Sequence, residues 1–325
     1  LMQAMGHKWQ LYCKLYADRP ENLNKQPGQY NWDALRKVVT MPDRWGMETM
    51  PALWPTHLPG HLIDPAKCDW ASYGNGKRDP TRQIKNGRIP SYPDLDKWAA
   101  YCRKVAENVG DVQPWWTIED ETELYYSPRD FAPIVLATAK GFRQGGKDMK
   151  VSLSCTGDYT EEMIEELDGQ VPLAGFGGSS YDYEYWDARK ARYLQRKYDV
   201  PWSCIGVGVG RSPQFRRIGP FGEDVYGRAV GTAQDMVLLA IGQDAKVLGH
   251  YTGRLWFRGA LGLTDFPLMD YDCTPLVHGY AYSCIPLLVA DAVPVEDVYL
   301  DALRTLVFVF RQNGRLHAVT WANNT

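Results

Sequence analysis

Short apolar runs alternate with segments of helical periodicity along most of the chain. The apolar runs predict seven strands, at 8–16, 46–54, 113–119, 150–155, 172–180, 201–209 and 246–253. The helical patterns that follow them predict helices at 31–41, 92–110, 128–143, 160–167, 186–198, 225–242 and 275–292. A repeated strand–helix unit indicates a parallel sheet with helices on its faces.

The number of units favours a closed barrel over an open sheet. We expect an eighth strand before Leu1, which would complete a (β/α)8 TIM barrel of the α/β class. No GxGxxG motif leads from a strand into a helix, which argues against an open dinucleotide-binding sheet. After residue 300 the turn "RQNGR" separates two alternating strands and predicts a hairpin in a small β-sandwich-like segment. The predicted domains are therefore a barrel over 1–295 and an accessory β-domain over 296–325.

Composition narrows the classes of function. The 325 residues have a net charge of −3 and a pI near 6.1, so we expect no nucleic-acid partner. The seven Cys and six His lack metal-binding spacing, so neither a metal nor a cofactor is predicted. No apolar run of about 18 residues predicts a membrane segment. Both ends read as cut from a longer protein, which leaves the localisation open, secreted and periplasmic locations included.

The stretch "WTIEDETELYY" at 116–126 places four carboxylates where a buried strand ends: Glu119, Asp120, Glu121 and Glu123. Strand alternation points Asp120 to one side and Glu119 and Glu121 to the other. Working residues of such barrels lie at the carboxyl ends of the strands. Glu121 lies where the strand becomes a loop, so it is the candidate to protonate a leaving oxygen. Glu123 is more simply a solvated loop charge.

The segment 114–151 resembles the fourth strand and helix of the clan A retaining glycoside hydrolases. These enzymes are (β/α)8 barrels and include β-xylosidases, β-galactosidases and endoglycanases. Their fourth strand ends in a Trp-x-Ile-x-Asn-Glu pattern, which Trp116, Ile118 and Glu121 match. The resemblance implies hydrolysis of a β-linked oligo- or polysaccharide with Glu121 as the acid/base. It also implies that Asp120 replaces the Asn that contacts the sugar 2-hydroxyl. Looser similarities cover 27–39, 46–61 and 272–292.

The second carboxylate of this chemistry is missing from its usual place. In the clan the nucleophile is a Glu that ends the seventh strand in a Pro-x-x-x-x-Glu-x-Gly pattern. The matching stretch "PWSCIGVG" has Gly206 at that position, and no Asp or Glu occurs between Asp199 and Glu223. A retaining mechanism needs a carboxyl pair about 5–5.5 Å apart, so the nucleophile position is vacant in this sequence.

Four interpretations of the vacant position stay open. Gly206 is an engineered substitution, or the nucleophile has moved to Asp182 or Glu184 after the sixth strand. Alternatively the enzyme inverts, with Asp182, Glu184 or Asp265 activating water at a separation of roughly 6.5–9.5 Å from the acid. In the last interpretation the protein is a catalytically inactive relative that only binds glycan.

Aromatic and basic residues at the other strand ends are candidates for contacts with sugar. The chain has 12 Trp and 20 Tyr, and such rings stack on flat ligand faces as well as filling cores. In the resembling family a Trp after the eighth strand commonly floors the sugar subsite, which makes Trp256 the preferred aromatic. The remaining candidates, for which rim packing is the alternative, are Trp54, His57, Tyr181, Tyr183 and Arg254.

Overall fold

The computed structural model describes residues 9–11, 23–68, 91–120, 122–155, 157–177, 179–180, 185–207, 242–250, 268–269, 274–289, 291–300 and 305–322. The chain divides into two compact units. One unit contains residues 8–179, and the other contains residues 1–7 and 180–325.

The unit of residues 8–179 is built from parallel strands and the helices that follow them. Its strands are β1 (Trp9–Leu11), β2 (Glu48–Met50), β3 (Ala52–Leu53), β4 (Trp115–Ile118), β5 (Lys150–Ser154) and β6 (Leu173–Gly177). Its helices are α1 (Trp32–Thr40), α2 (Leu95–Val109), α3 (Pro128–Gln144) and α4 (Gly157–Leu167). β1 pairs with β2, and β3, β4, β5 and β6 pair in chain order, all in parallel.

β2 and β3 occupy the single strand that the sequence predicts at 46–54. Pro51 interrupts this strand because proline has no N–H to donate to a ladder. Its carbonyl still accepts a hydrogen bond from the N–H of Thr117 at 2.9 Å, so β4 continues the pairing across the interruption. The side chains of β4 from Trp116 to Ile118 are fully buried, as expected for a parallel strand covered on both faces.

Helices α2 and α3 cross closely because small residues meet between them. A Cβ added at Gly141 of α3 would lie 2.3 Å from the carbonyl oxygen of Ala99 and 2.7 Å from the Cβ of Cys102. Helix α2 begins three residues after the predicted start at 92 and ends one residue before the predicted end at 110. The Asp94 side chain accepts from the N–H of Lys97, and the Gly110 N–H donates to the carbonyl of Ala106. Local capping and the small-residue contact together fix this helix pair.

Two sheets are described in and next to the second unit. β7 (Ser179–Ser180), whose first residue ends the other unit, β8 (Cys204–Val207) and β9 (Leu248–His250) form a three-stranded sheet in chain order, in which β8 and β9 are parallel. Among its described residues this part of the chain has the helices α5 (Tyr185–Tyr198) and α6 (Val277–Val289). The predicted helix at 225–242 lies outside the described residues, except for its last position.

The C-terminal sheet contains β10 (Val293–Leu300), β11 (Thr305–Gln312) and β12 (Arg315–Ala322), paired antiparallel in chain order. The predicted hairpin is confirmed. Asn313 and Gly314 have φ values of 50° and 75°, which suit a two-residue turn of type I′. Strand β10 was not predicted, and the proposed domain boundary between 295 and 296 stays a prediction.

A buried ion pair connects α5 to the C-terminal sheet within this unit. Arg192 is 6 % exposed, and its Nη1 donates to the Asp297 carboxylate at 2.7 Å and to the Gly242 carbonyl at 3.1 Å. Phe308 of β11 is buried against Gly242, where an added Cβ would lie 2.2 Å from its ring.

Among the helices described in either unit, none has the length and apolar character needed to span a membrane.

Candidate active site

The end of β4 departs from the regular strand that the sequence predicts. β4 ends at Ile118, and Glu119 has a left-handed backbone with φ of 59°. The Glu119 N–H still donates to the Leu53 carbonyl at 2.7 Å. The regular strand therefore stops at Ile118, because one left-handed residue redirects the chain, and strand alternation no longer determines the sides to which Glu119 and Asp120 point.

Glu119 is a fully buried carboxylate held by the loop that follows β3. Its relative exposure is 0 %, and its Oε2 accepts hydrogen bonds from the backbone N–H of Thr56 at 3.0 Å and from the Thr56 hydroxyl at 2.6 Å. A buried carboxylate is costly unless it is hydrogen-bonded, and Thr56 supplies both bonds to this oxygen. Sequence reasoning assigned no role to Thr56. The sequence feature that could have pointed to Thr56 is a polar residue among apolar neighbours after β3.

Trp54 and His57 lie together on this loop. The His57 N–H donates to the Trp54 carbonyl at 3.0 Å, and the two rings meet edge to face with centroids 5.5 Å apart. His57 Nδ1 lies 3.1 Å from the Thr56 hydroxyl oxygen. Trp54 is 3 % exposed, which agrees with the packing interpretation of this residue better than with an open stacking platform.

The residues on both sides of position 121 are attached to the end of β5. The Ser154 hydroxyl donates to Asp120 Oδ1 at 3.4 Å, and the Thr122 hydroxyl donates to the Ser154 carbonyl at 2.7 Å. Asp120 is 9 % exposed and Thr122 is fully buried. Glu121 itself lies outside the described residues. The chain therefore enters and leaves position 121 at the carboxyl end of β5.

Glu123 is not the solvated loop charge that its residue type suggested. It is half-buried, and one of its carboxylate oxygens is inaccessible to solvent. Burial, with a smaller contribution from the charge of Glu123, raises the pKa of Cys155 to about 12, against a bond from the Thr160 hydroxyl that lowers it. Burial and the charges of Cys155 and Glu123 also raise the pKa of Tyr159. This cluster follows the ends of β4 and β5.

Gly206 lies in β8, within an irregularity of the sheet. Cys204 is paired with Leu248 and Val207 with His250, so three steps along β8 face two steps along β9. The register of the two strands therefore shifts between these two pairs, around Gly206. The other predicted site residues lie outside the described part of the chain: Glu121, Tyr181, Asp182, Tyr183, Glu184, Arg254, Trp256 and Asp265.

Comparison with solved structures defines the class of fold. Xylanase B from Clostridium stercorarium F9 has a TM-score of 0.59 and 14% identity, over 85% of this chain and 89% of that chain. A family 39 glycoside hydrolase from Bacteroides cellulosilyticus WH2 has a TM-score of 0.67 and 11% identity, over 99% of this chain and 66% of that chain. Xylanase XynB from Paenibacillus barcinonensis has a TM-score of 0.59 and 12% identity, over 86% and 91% of the chains.

These similarities show the fold, because identities of 11 to 14% are too low to transfer an activity. The structures are (β/α)8 barrels, and this chain has the same α/β fold. No protein-family model and no curated protein sequence matches the chain. The predicted fold class is thus confirmed, and the chemistry must be argued from the site.

Proposed function

We propose that the protein is a glycoside hydrolase of β-linked oligo- or polysaccharides, or a descendant of one. Glu121 is the proton donor, and position 206 is the place of the nucleophile. The proposal is supported by the fold shared with xylanases and a family 39 glycoside hydrolase, and by the acidic cluster at the end of β4. It requires no metal or cofactor.

The main support for this proposal is that Asp120 and Thr122 are both hydrogen-bonded to Ser154. It supports a position for Glu121 at the carboxyl end of the sheet, where (β/α)8 barrels have their catalytic groups. Asp120 is the immediate neighbour of the proposed acid, and as an acceptor it can receive a hydrogen bond from a sugar hydroxyl. Trp256, Arg254, Tyr181 and Tyr183 are the further proposed sugar contacts.

Of the two carboxyl groups that a double displacement needs, the proposed chemistry assigns only the proton donor to this chain. Glu121 protonates the glycosidic oxygen while the bond from that oxygen to the anomeric carbon breaks. In a retaining enzyme a carboxylate attacks the anomeric carbon from the opposite face as that bond breaks, and water then hydrolyses the glycosyl-enzyme ester. Gly206 offers no such group, and a glycine at the register shift in β8 leaves a backbone position that other atoms can approach closely.

The test of the proposal is to restore the missing carboxylate. Gly206→Glu should gain turnover of an aryl β-glycoside, at least tenfold above the parent chain, because the nucleophile is returned to its place. Gly206→Gln is the matched control, since it has the same size without the charge. Adding Glu121→Gln to Gly206→Glu should abolish the gain on substrates with poor leaving groups. No gain over a broad panel of β-glycosides would contradict the proposal.

A second candidate is a binding protein that retains the cleft without the reaction. It is favoured by the absence of any Asp or Glu between Asp199 and Glu223. On a glycan array it predicts selective binding, unchanged by Glu121→Gln, and no hydrolysis under any condition. Hydrolysis by the unaltered chain with inversion at the anomeric carbon would instead favour the inverting alternative, for which Asp182, Glu184 and Asp265 are the candidate bases.

A further inference from the structure

We propose that the outer face of the C-terminal sheet, formed by β10, β11 and β12, binds a second copy of this chain. The sheet carries apolar side chains on both of its faces. One face packs inside the unit of residues 1–7 and 180–325, and the other is exposed. Two copies meet by this exposed face and form a sandwich of two sheets. The inference does not depend on the proposed function, since it uses none of the proposed sugar contacts.

The inner face of the sheet packs against the helices of its own unit. Phe308 and Phe310 of β11 are buried, and Ile285 of α6 packs against them. The register places Asp297 of β10 opposite Phe308. The Asp297 carboxylate accepts the 2.7 Å hydrogen bond from Arg192 of α5. Helices α5 and α6 therefore both contact this inner face of the sheet.

The outer face consists of the residues that alternate with the two buried phenylalanines. Successive side chains of a strand point to opposite faces, so Val307 and Val309 of β11 point outward. Directly paired residues share a face, and the register pairs Val298 with Val307 and Ala318 with Val309. By the same pairing, the aliphatic side chains of the outer face include Val293, Val298, Val307, Val309, Leu316 and Ala318.

These aliphatic side chains are open to solvent. Val293 is 60 % exposed and Leu316 is 61 % exposed. Val298 is 37 % exposed, and Val307 and Val309 on the central strand are half-buried. Single exposed aliphatic residues need no explanation, whereas a contiguous apolar patch on a folded chain marks an interaction surface. An apolar sheet face is commonly buried against a second sheet, and a second copy supplies one.

The charges of the outer face are compatible with contact between two identical copies. Among its paired positions, the face has one acidic residue, Glu296 opposite Val309, and one basic residue, Arg311 opposite Leu316. The face is therefore neutral as a whole, so two copies do not repel each other. A two-fold axis brings the same patch of both subunits together, which allows Glu296 of each copy to approach Arg311 of the other. The complementary charges favour a second copy over a strongly charged partner.

The size of the outer face predicts a weak and reversible dimer. Each of the three strands has eight residues. With about 3.3 Å per residue and about 4.8 Å between strands, the face measures about 26 Å by 14 Å, or roughly 360 Å². A standard interface buries about 800 Å² on each partner, so this face alone provides about half of that area. We therefore expect a dissociation constant of about 1–100 μM.

Sedimentation equilibrium of the unaltered chain measures this association directly. Between about 5 and 300 μM the average mass should rise from one 36.9 kDa chain towards two. A chain that stays monomeric over this range overturns the inference, whatever else binds to the face. A mass that grows beyond two chains also overturns it, because it indicates open-ended pairing through the sheet edges.

Substitutions on the central strand test whether the dimer uses this face. Val309→Glu places a carboxylate in the middle of the interface, so it should weaken association by roughly tenfold or more. Gln29→Glu is the matched control, since it adds the same charge at an exposed position of the other unit and should leave association unchanged. Val307→Thr keeps the shape and should weaken association less, and it replaces Val309→Glu if that variant does not fold. A dimer that neither substitution of valine weakens overturns the inference.

A charge exchange tests whether the partner is an identical face. Glu296→Arg leaves two basic residues on each face, so it should weaken the dimer because like charges then meet across the axis. Glu296→Arg combined with Arg311→Glu restores one charge of each sign and should return most of the affinity. The weakening should decrease at high salt, which screens exposed charges. Equal association of the single and the double variant would overturn the pairing of Glu296 with Arg311 between copies.

Discussion

Single residues at the end of β4 decide how the acidic cluster is arranged. The sequence predicted four carboxylates at a strand end, and the structure has Glu119 and Asp120 directly after β4. The left-handed backbone of Glu119 and its bonds to Thr56 were not, since these residues lie 63 positions apart. Strand periodicity predicts only regular backbone, so the one residue that breaks it had to be seen in three dimensions.

The Thr56 hydroxyl should also contribute measurably to stability. Thr56→Val removes one of the bonds to Glu119 Oε2 while the carboxylate stays buried. We expect the free energy of unfolding to fall by about 1–3 kcal/mol. Thr56→Ser, which keeps the hydroxyl, should lose less. Urea denaturation measures both changes, and equal stability of the two variants would contradict the importance of this bond.

Cys155 should make the stability depend on alkaline pH. Its pKa is raised from the ordinary value of 9.0 to about 12, chiefly by burial, so the folded state favours the neutral thiol. This contribution is complete below pH 9.0 and is lost as the pH rises towards about 12, because only the unfolded chain ionises readily there. Tyr92, whose pKa is also raised to about 12, acts in the same direction.

The measurement compares the parent chain with Cys155→Ala. Urea denaturation at about pH 8 and about pH 10.5 gives the loss of unfolding free energy for each protein. The loss should be larger for the parent, since the variant has no thiol to ionise on unfolding. An equal loss in both proteins would contradict the assigned role of Cys155, and the contribution of Tyr92 cancels in the comparison.

Most of the described helices and strands were predictable from local patterns. The apolar spacing and caps gave α2 and α3 to within a few residues, because Asp94, Pro128 and Gly110 mark their ends locally. β10 was missed since no tight turn precedes it and its exposed valines give no clear alternation. The split of one strand at Pro51 was likewise missed, although the proline is its physical cause.

The close crossing of α2 and α3 should make a glycine-to-alanine substitution destabilising, although alanine is the better helix former. Gly141→Ala would gain about 1 kcal/mol of helix propensity in isolation. Here the new Cβ would lie 2.3 Å from the Ala99 carbonyl oxygen, so the helices must separate. We expect a net destabilisation of about 1–3 kcal/mol.

Gly60 provides the matched control for this substitution. A Cβ added there meets nothing within 4 Å, and the backbone is not left-handed. Gly60→Ala should therefore be neutral or stabilise the protein by up to about 1 kcal/mol. Thermal unfolding of both variants measures the difference, and a stabilised Gly141→Ala would contradict the close approach of the two helices.

The order of strands and helices along the chain was sufficient to predict the fold class of the whole molecule. A (β/α)8 barrel follows from repeated strand–helix units, and the similarity to xylanases extends over most of the chain at identities of only 12 to 14%. The site was less predictable. The resemblance at Trp116, Ile118 and Glu121 suggested the acid, whereas the register shift around Gly206 depends on pairing between distant strands.

Azide tests the vacant nucleophile position in the unaltered chain most directly. A small anion can enter the space of the missing carboxylate and attack the anomeric carbon of an aryl β-glycoside, while the aryloxy group leaves. We expect an α-glycosyl azide, identified by NMR of the products, and its loss in Gly206→Glu, where the carboxylate fills the space. If no glycosyl azide forms from any of a panel of activated β-glycosides, and Gly206→Glu is also inactive, position 206 is not the place of a missing nucleophile.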